Sequence, residues 1–227
     1  MAVGRKASVT GFGLEELGIA LTRQGTIEVD DFLRSNIANI YAVGDVAGPY
    51  PFTHAAAHQA WHAAVNALFG SFKKFRIDYS ALPWATFTDP EVARVGLNEQ
   101  DAQASGVAYA VTTYELSDLD RATADGADSG FVKVLTAPGK DRVLGATIVG
   151  HYAGELISEY VTAIRHGLGM NALLSTIHAY PTWTEANKFA AGAWKKARVP
   201  LRLLAWVERY HGWRRGTPAP LTEAQRG

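Results

Sequence analysis

The 227-residue sequence contains no cysteine. That absence excludes a disulfide framework, a thiolate-held zinc or iron–sulfur centre, and any thiol chemistry carried by the chain itself. An excess of charge is also missing, since 22 Lys and Arg stand against 22 Asp and Glu. So balanced a chain has no long-range pull toward nucleic acid, and no nucleic-acid role is expected. No apolar run approaches the ~18 residues needed to cross a bilayer. Met1 leads into Ala-Val-Gly-Arg-Lys with no apolar stretch behind it, so a secretory signal is not expected and a cytoplasmic location is. What remains is an ordinary globular composition, 48% hydrophobic and 19% charged, with material for one or two cores.

Hydrophobic periodicity divides the chain. Residues 26–30 alternate apolar and polar, and residues 40–43 form a short apolar run that ends at Gly44-Asp45; both read as strands. A helix is predicted over 54–68, with Thr53 as its N-cap. The pattern changes near residue 82. Five strands are then predicted, at 84–88, 92–96, 107–116, 130–135 and 142–149, separated by Asp-Pro, Ala-Pro-Gly-Lys and glycine-containing turns. A helix follows over 153–168. Strands first and helices afterwards is the order of an α+β domain built on an antiparallel sheet. The expected domains are 1–80, 81–194 and a basic amphipathic tail at 195–227.

Several motifs carry weaker chemistry than they suggest. Gly11-Phe12-Gly13 lacks the third glycine of a phosphate loop. Gly167-Leu168-Gly169-Met170-Asn171-Ala172 fits the GxGxxA spacing but follows a helix instead of a strand, the wrong setting for a pyrophosphate turn. A glycine-terminated helix with Asn171 capping the next explains it better. His54, His58 and His62 share one helical face, but the outer two lie ~12 Å apart along the axis, too far for one ion. No metal site is expected. The tail carries Leu203, Trp206, Val207, Tyr210 and Trp213 at helical spacing among seven basic residues, Lys195, Lys196, Arg198, Arg202, Arg209, Arg214 and Arg215. Such a stripe can lie on a membrane surface, but packing on its own protein is the favoured reading.

Asp45 ends an apolar run at a glycine, where a carboxylate can accept hydrogen bonds from sugar or polyol hydroxyls. The residues around it carry a specific likeness. Asn39-Ile40-Tyr41-Ala42-Val43-Gly44-Asp45-Val46, with Phe52-Thr53-His54-Ala55, resembles the second flavin-binding motif of the pyridine nucleotide–disulfide oxidoreductases. Gly4-Arg5-Lys6, Gly13-Leu14 and Val29-Asp30 resemble the stretch leaving that family's NAD domain. Phe87-Thr88-Asp89-Pro90-Glu91 and Val95-Gly96 resemble the opening of its dimerisation domain. His178-Ala179-Tyr180-Pro181-Thr182-Trp183-Thr184-Glu185 resembles the segment that reaches the partner subunit's active site.

The resemblance implies an enzyme that passes a hydride from NAD(P)H to FAD and then electrons to a disulfide or another acceptor, as a homodimer. Gly44, Asp45, Thr53, His54 and Ala55 would line the flavin site, with Asp45 on the ribityl chain and the backbone of His54 and Ala55 at the pyrimidine edge. The start of the helix near Thr53 would favour negative charge there. The family's glycine-rich turns and its CxxxxC disulfide belong to an earlier stretch. The chain therefore resembles a C-terminal portion, inactive alone, whose other half is supplied by a longer reading frame or a separate N-terminal FAD/NAD(P)-binding chain. Tyr180 and Glu185 are the implied catalytic residues. Lipoamide dehydrogenase-like members carry histidine where this chain has Tyr180, and mercuric reductase-like members carry tyrosine. A tyrosine that titrates near 10 donates a hydrogen bond more readily than it accepts a proton. Glu185 also completes a capping box with Thr182, which is its favoured role here. The alternative function is a non-catalytic dimerisation module without a bound cofactor.

Overall fold

The computed structural model describes residues 4–216; positions 1–3 and 217–227, including the end of the basic tail, lie outside the described residues. Two units meet in sequence at Leu82 and Pro83.

In the first unit, loops and turns close over a small core of Val9, Ile19, Ile27, Ala42 and Ala47. Residues 26–30 and 40–43 are not strands. Among the described residues each makes one bridge only, Leu21 with Ile27 and Arg34 with Tyr41. Alternation becomes a strand where a neighbour offers a matching row of N–H and C=O groups, and here the neighbours offer one residue each. Helix α1 spans Thr53–Phe69. Its N-cap is Phe52, not Thr53: the helical ladder starts one residue earlier than expected, with the Ala56 amide donating to the Phe52 carbonyl at 2.9 Å. The buried edge of α1 is Ala55, Gln59, His62, Ala63 and Asn66. Its polar members must be satisfied in place. Asn66 does so by donating to Phe75 O at 2.8 Å and accepting the Phe75 amide at 2.7 Å.

The second unit is the expected antiparallel sheet. Strands β1 (Pro83–Thr86), β2 (Glu91–Gly96), β3 (Ala110–Glu115), β4 (Phe131–Thr136) and β5 (Val143–Gly150) lie in the order β1-β2-β5-β4-β3. Alternation decides its faces. Ala93, Ile148 and Val132 stand in register across three strands, as do Val95, Ala146 and Val134, and all six are buried. Helix α4 (Ala153–His166) packs on β1, β2 and β5, and α6 (Glu185–Lys196) packs on β3 and β4. On α4, Leu156, Ile157 and Tyr160 are buried, and Val161 and Ile164 are half-buried. Each buried aliphatic side chain contributes ~1.5–3 kcal/mol by leaving water.

On the opposite face, Trp84, Arg94, Thr147, Lys133 and Thr113 follow one another across all five strands. Helix α2 (Glu99–Ala104) answers this row with charge, pairing Asp101 with Arg94 and Glu99 with Lys133. The next helix, α3 (Asp120–Asp125), ends at Gly126 in the left-handed conformation.

Gly167 ends α4 in the left-handed conformation, as the spacing suggested. The following helix, α5 (Met170–Ser175), is capped by Gly169 and not by Asn171, which lies inside it. The reason is steric: a Cβ on Gly169 would come within 2.4 Å of the Asp141 carboxylate, while Asn171 donates to that same carboxylate at 2.8 Å. Helix α7 (Leu201–Arg215) forms from the tail. Contrary to the self-packing expectation, none of its residues is buried. Leu201, Leu203, Leu204, Trp206 and Trp213 are each at least half exposed.

Candidate functional site

The first unit presents Asp45 on a single 3₁₀ turn, Gly44–Val46. Gly44 has φ +74°, and a Cβ there would press on Ala56 Cβ of helix α1 at 3.2 Å, so glycine serves both the turn and the close approach. Gln59, fully buried on α1, locks the turn. Its Oε1 accepts the Gly44 amide, and its Nε2 donates to Gly48 O at 3.3 Å and to the Tyr79 hydroxyl at 2.7 Å. Burial raises the Tyr79 pKa, opposed in part by that Gln59 bond. The Asp45 carboxylate stands out of the turn, about half exposed, and Arg5 Nη1 reaches its Oδ2 at 3.2 Å while also donating to Pro51 O at 3.0 Å. Arg5, Lys6, Asp45, Gly48, Pro51 and Tyr79 all line one cleft of about 610 Å³.

Of the expected flavin residues, Gly44 and Asp45 sit on this turn, and Thr53, His54 and Ala55 form the first turn of α1, which packs against it. No side chain caps that helix. The partial positive charge of that helix lies at the end nearest the turn. Arg5 was not singled out by sequence reasoning. Its signal lay in the Gly4-Arg5-Lys6 motif, but nothing local ties a residue at position 5 to a carboxylate at 45.

The second unit holds Tyr180 and Glu185. Tyr180 is 70% exposed, and its hydroxyl donates to Asp120 Oδ2 at 3.1 Å. That hydrogen bond, and the charge of Asp120 behind it, raise the tyrosine's pKa above its ordinary value, with Glu185 adding a smaller push. Glu185 is buried at the start of α6 and accepts the Thr182 amide at 3.1 Å. Only that half of the expected capping box forms. The N-cap is Thr184, and the Thr182 hydroxyl donates instead to Ala179 O at 2.6 Å. His178 turns inward: its Nε2 meets Glu159 Oε1 at 2.9 Å, and Asn187 donates to the other oxygen of Glu159 at 2.9 Å. Trp183, nearly buried, donates from Nε1 to Asp125 Oδ2 at 2.9 Å, and Arg121 reaches the same oxygen at 2.8 Å. Asp120 and Asp125 went unnoticed in the sequence because they lie about sixty residues from the groups they hold.

Together, a five-stranded antiparallel sheet with its packed helices defines the dimerisation domain of disulfide oxidoreductases. The family model described as the pyridine nucleotide-disulphide oxidoreductase dimerisation domain matches residues 82–191, and the model of the pyridine nucleotide-disulphide oxidoreductases matches residues 1–64. The chain belongs to that family. It is 36% identical over 203 residues to a dihydrolipoyl dehydrogenase of Chlamydia muridarum, covering 89% of this chain and 43% of the relative. To a dihydrolipoyl dehydrogenase of Staphylococcus aureus it is 37% identical over 191 residues, covering 84% of this chain and 40% of that one. Among solved structures, LpdA from Mycobacterium tuberculosis superimposes with a TM-score of 0.78 at 31% identity, over 84% of this chain and 41% of that one. The HOCl-induced flavoprotein disulfide reductase RclA from Escherichia coli, as its Cu(II) complex, gives 0.77 at 27% identity, over 84% and 43%. The chain thus spans less than half the length of the relatives it matches, and what it matches is their C-terminal portion.

Proposed function

We propose that the chain is the C-terminal part of an FAD-dependent NAD(P)H oxidoreductase of the cytoplasm, inactive alone. Its first unit would supply one wall of the flavin site, and its second the homodimer interface. The observation that carries this reading is the Gly44–Asp45 turn clamped by Gln59 against α1, which sets a carboxylate beside the start of a helix.

The residues fit the group. Arg5 takes one oxygen of Asp45 and leaves a carboxylate able to accept hydroxyl donors from a ribityl chain. The first-turn amides at Thr53, His54 and Ala55 would donate to the edge of the flavin ring, and the helix start would favour negative charge on it. Gly44 contributes by having no side chain. FAD, when bound, supplies the two-electron relay between NAD(P)H and the acceptor. Tyr180 would serve at the partner subunit's site as a neutral hydrogen-bonding hydroxyl. Glu185 would hold the segment's shape through Thr182.

The test is flavin retention. The isolated chain should bind FAD weakly or not at all, and co-expression with an N-terminal FAD/NAD(P)-binding chain should give a complex that stays yellow through gel filtration. Asp45→Ala in that complex should weaken retention about tenfold, the loss of one charge-assisted hydrogen bond. Colourless complex, or retention unchanged by Asp45→Ala, would overturn the reading and leave a dimerisation module without cofactor. Stoichiometric flavin on the isolated chain would overturn the half-site.

A further inference from the structure

We propose that Asp120 is the positioning partner of Tyr180: its carboxylate holds the hydroxyl proton and fixes the direction of the phenol, a Tyr–Asp pair formed across sixty residues of sequence. The proposal rests on the functional reading above, in which Tyr180 faces the acceptor.

The geometry excludes the nearer candidate. Glu185, five residues along, is the acid that the family resemblance sets beside position 180. In the folded chain its Oε2 is committed to the Thr182 amide, at 3.1 Å, and the residue is buried at the start of α6. The Tyr180 hydroxyl bonds instead to Asp120 Oδ2 at 3.1 Å. Asp120 is well placed to act as an anchor because its neighbours are not free to move: Leu116, Leu119 and Ala122 are all buried. The segment is gripped a second time three residues on, where Trp183 Nε1 donates to Asp125 Oδ2 at 2.9 Å. Helix α3 therefore holds the segment at both of its aromatic residues, one by each end of the helix.

This arrangement has a chemical consequence. A phenol that donates to a carboxylate keeps its proton more firmly, because the phenolate would face a like charge. The elevated Tyr180 pKa agrees in direction, with Asp120 its main source and Glu185 a lesser one. Tyr180 so held acts through its dipole and its lone pairs and does not pass its proton on. A histidine at this position would exchange protons near neutrality.

The experiment uses the full chain, the variants Tyr180→Phe, Asp120→Asn and Asp120→Ala, and the two doubles that combine Tyr180→Phe with each Asp120 variant. First, phenolate formation is followed at 295 nm as pH rises. The sequence has 9 tyrosines, so the contribution of Tyr180 is the difference between a protein and its Tyr180→Phe counterpart. Its midpoint should lie above that of an ordinary tyrosine and fall in Asp120→Asn, which keeps an acceptor but loses the charge. An unchanged midpoint overturns the proposal. Second, in the flavin-retaining complex, stopped-flow separates flavin reduction from the acceptor half-reaction. Asp120→Ala should slow the acceptor step about tenfold and spare flavin reduction. Asp120→Asn should restore most of the rate, because the amide oxygen still accepts from the hydroxyl. Adding Asp120→Ala to Tyr180→Phe should cost nothing further; additive losses would overturn the pairing. A complex that retains no flavin would count against the proposed function, and the titration would still decide the pair.

Discussion

The side-chain oxygen of Gln59 accepts the backbone amide of Gly44, fifteen residues before it. One helical side chain thereby fixes the turn that carries Asp45, and its other end holds Gly48 O and the Tyr79 hydroxyl. Gln59→Leu fills similar space but leaves the Gly44 amide and the Gly48 carbonyl buried without partners. A loss of about 2 kcal/mol is expected, measurable as a lower urea midpoint. If Gln59 acts on the site only through this turn, flavin retention in the complex should fall with it.

Gly145 tests the close approach of β5 to the residue following β2. A Cβ there would lie 2.0 Å from the Leu97 carbonyl oxygen, a backbone atom that cannot swing away. Gly145→Ala should cost about 3 kcal/mol. Gly212→Ala is the control for space alone, since nothing lies within 4 Å of a Cβ at that position and its backbone is not left-handed.

Core and interface can be separated by two truncations. Leu156 is 2% exposed and Phe189 is 39% exposed within one chain. Leu156→Ala should lower unfolding stability by about 2–5 kcal/mol without altering association. Phe189→Ala should change stability little at high dilution. In the proposed homodimer it should weaken association, read by sedimentation equilibrium.

Tyr114 predicts a pH effect. Burial, with help from Asp118, Asp120 and Glu185, pushes its pKa up to about 12. Below pH ~10 the phenol is neutral both folded and unfolded, and the stability linked to it is fully present. Between about 10 and 12 the unfolded chain loses its proton while the folded chain keeps it, so stability must fall as pH rises. Thermal denaturation of Tyr114→Phe across this window should show a shallower decline than the unsubstituted chain.

The sheet was legible because its signal is local: period-two alternation between Gly, Asp-Pro and Pro-Gly turns places strands β1 to β5 to within a few residues. The same alternation at 26–30 and 40–43 misled, since a ladder needs a partner that no local pattern reports. Caps failed by one or two places for the same reason. Thr53 and Asn171 look like caps, but Phe52 sits where the ladder of α1 starts, and Asp141 decides that only glycine fits at 169. Asp45 was singled out by its place at the end of an apolar run and then by family likeness, and Tyr180 by family likeness alone. Their partners Arg5 and Asp120 were not, because each pair is made by folding across forty and sixty residues.

Helix α2 is held differently from the other helices on this sheet. Its only buried residue is Ala102, and it is tied down by Asp101 to Arg94 and by Glu99 to Lys133. Burial works against the charge on Asp101, but the Asn98 amide bond and the Arg94 guanidinium outweigh it and keep the carboxyl below its ordinary pKa. Ion pairs at such a surface weaken as salt screens them, whereas apolar packing like that of α4 does not. Among the helices packed on the sheet, local opening should therefore begin at α2. Its amides should exchange with solvent hydrogen well before those of β5, and raising the ionic strength should widen that gap while the core of the sheet stays closed.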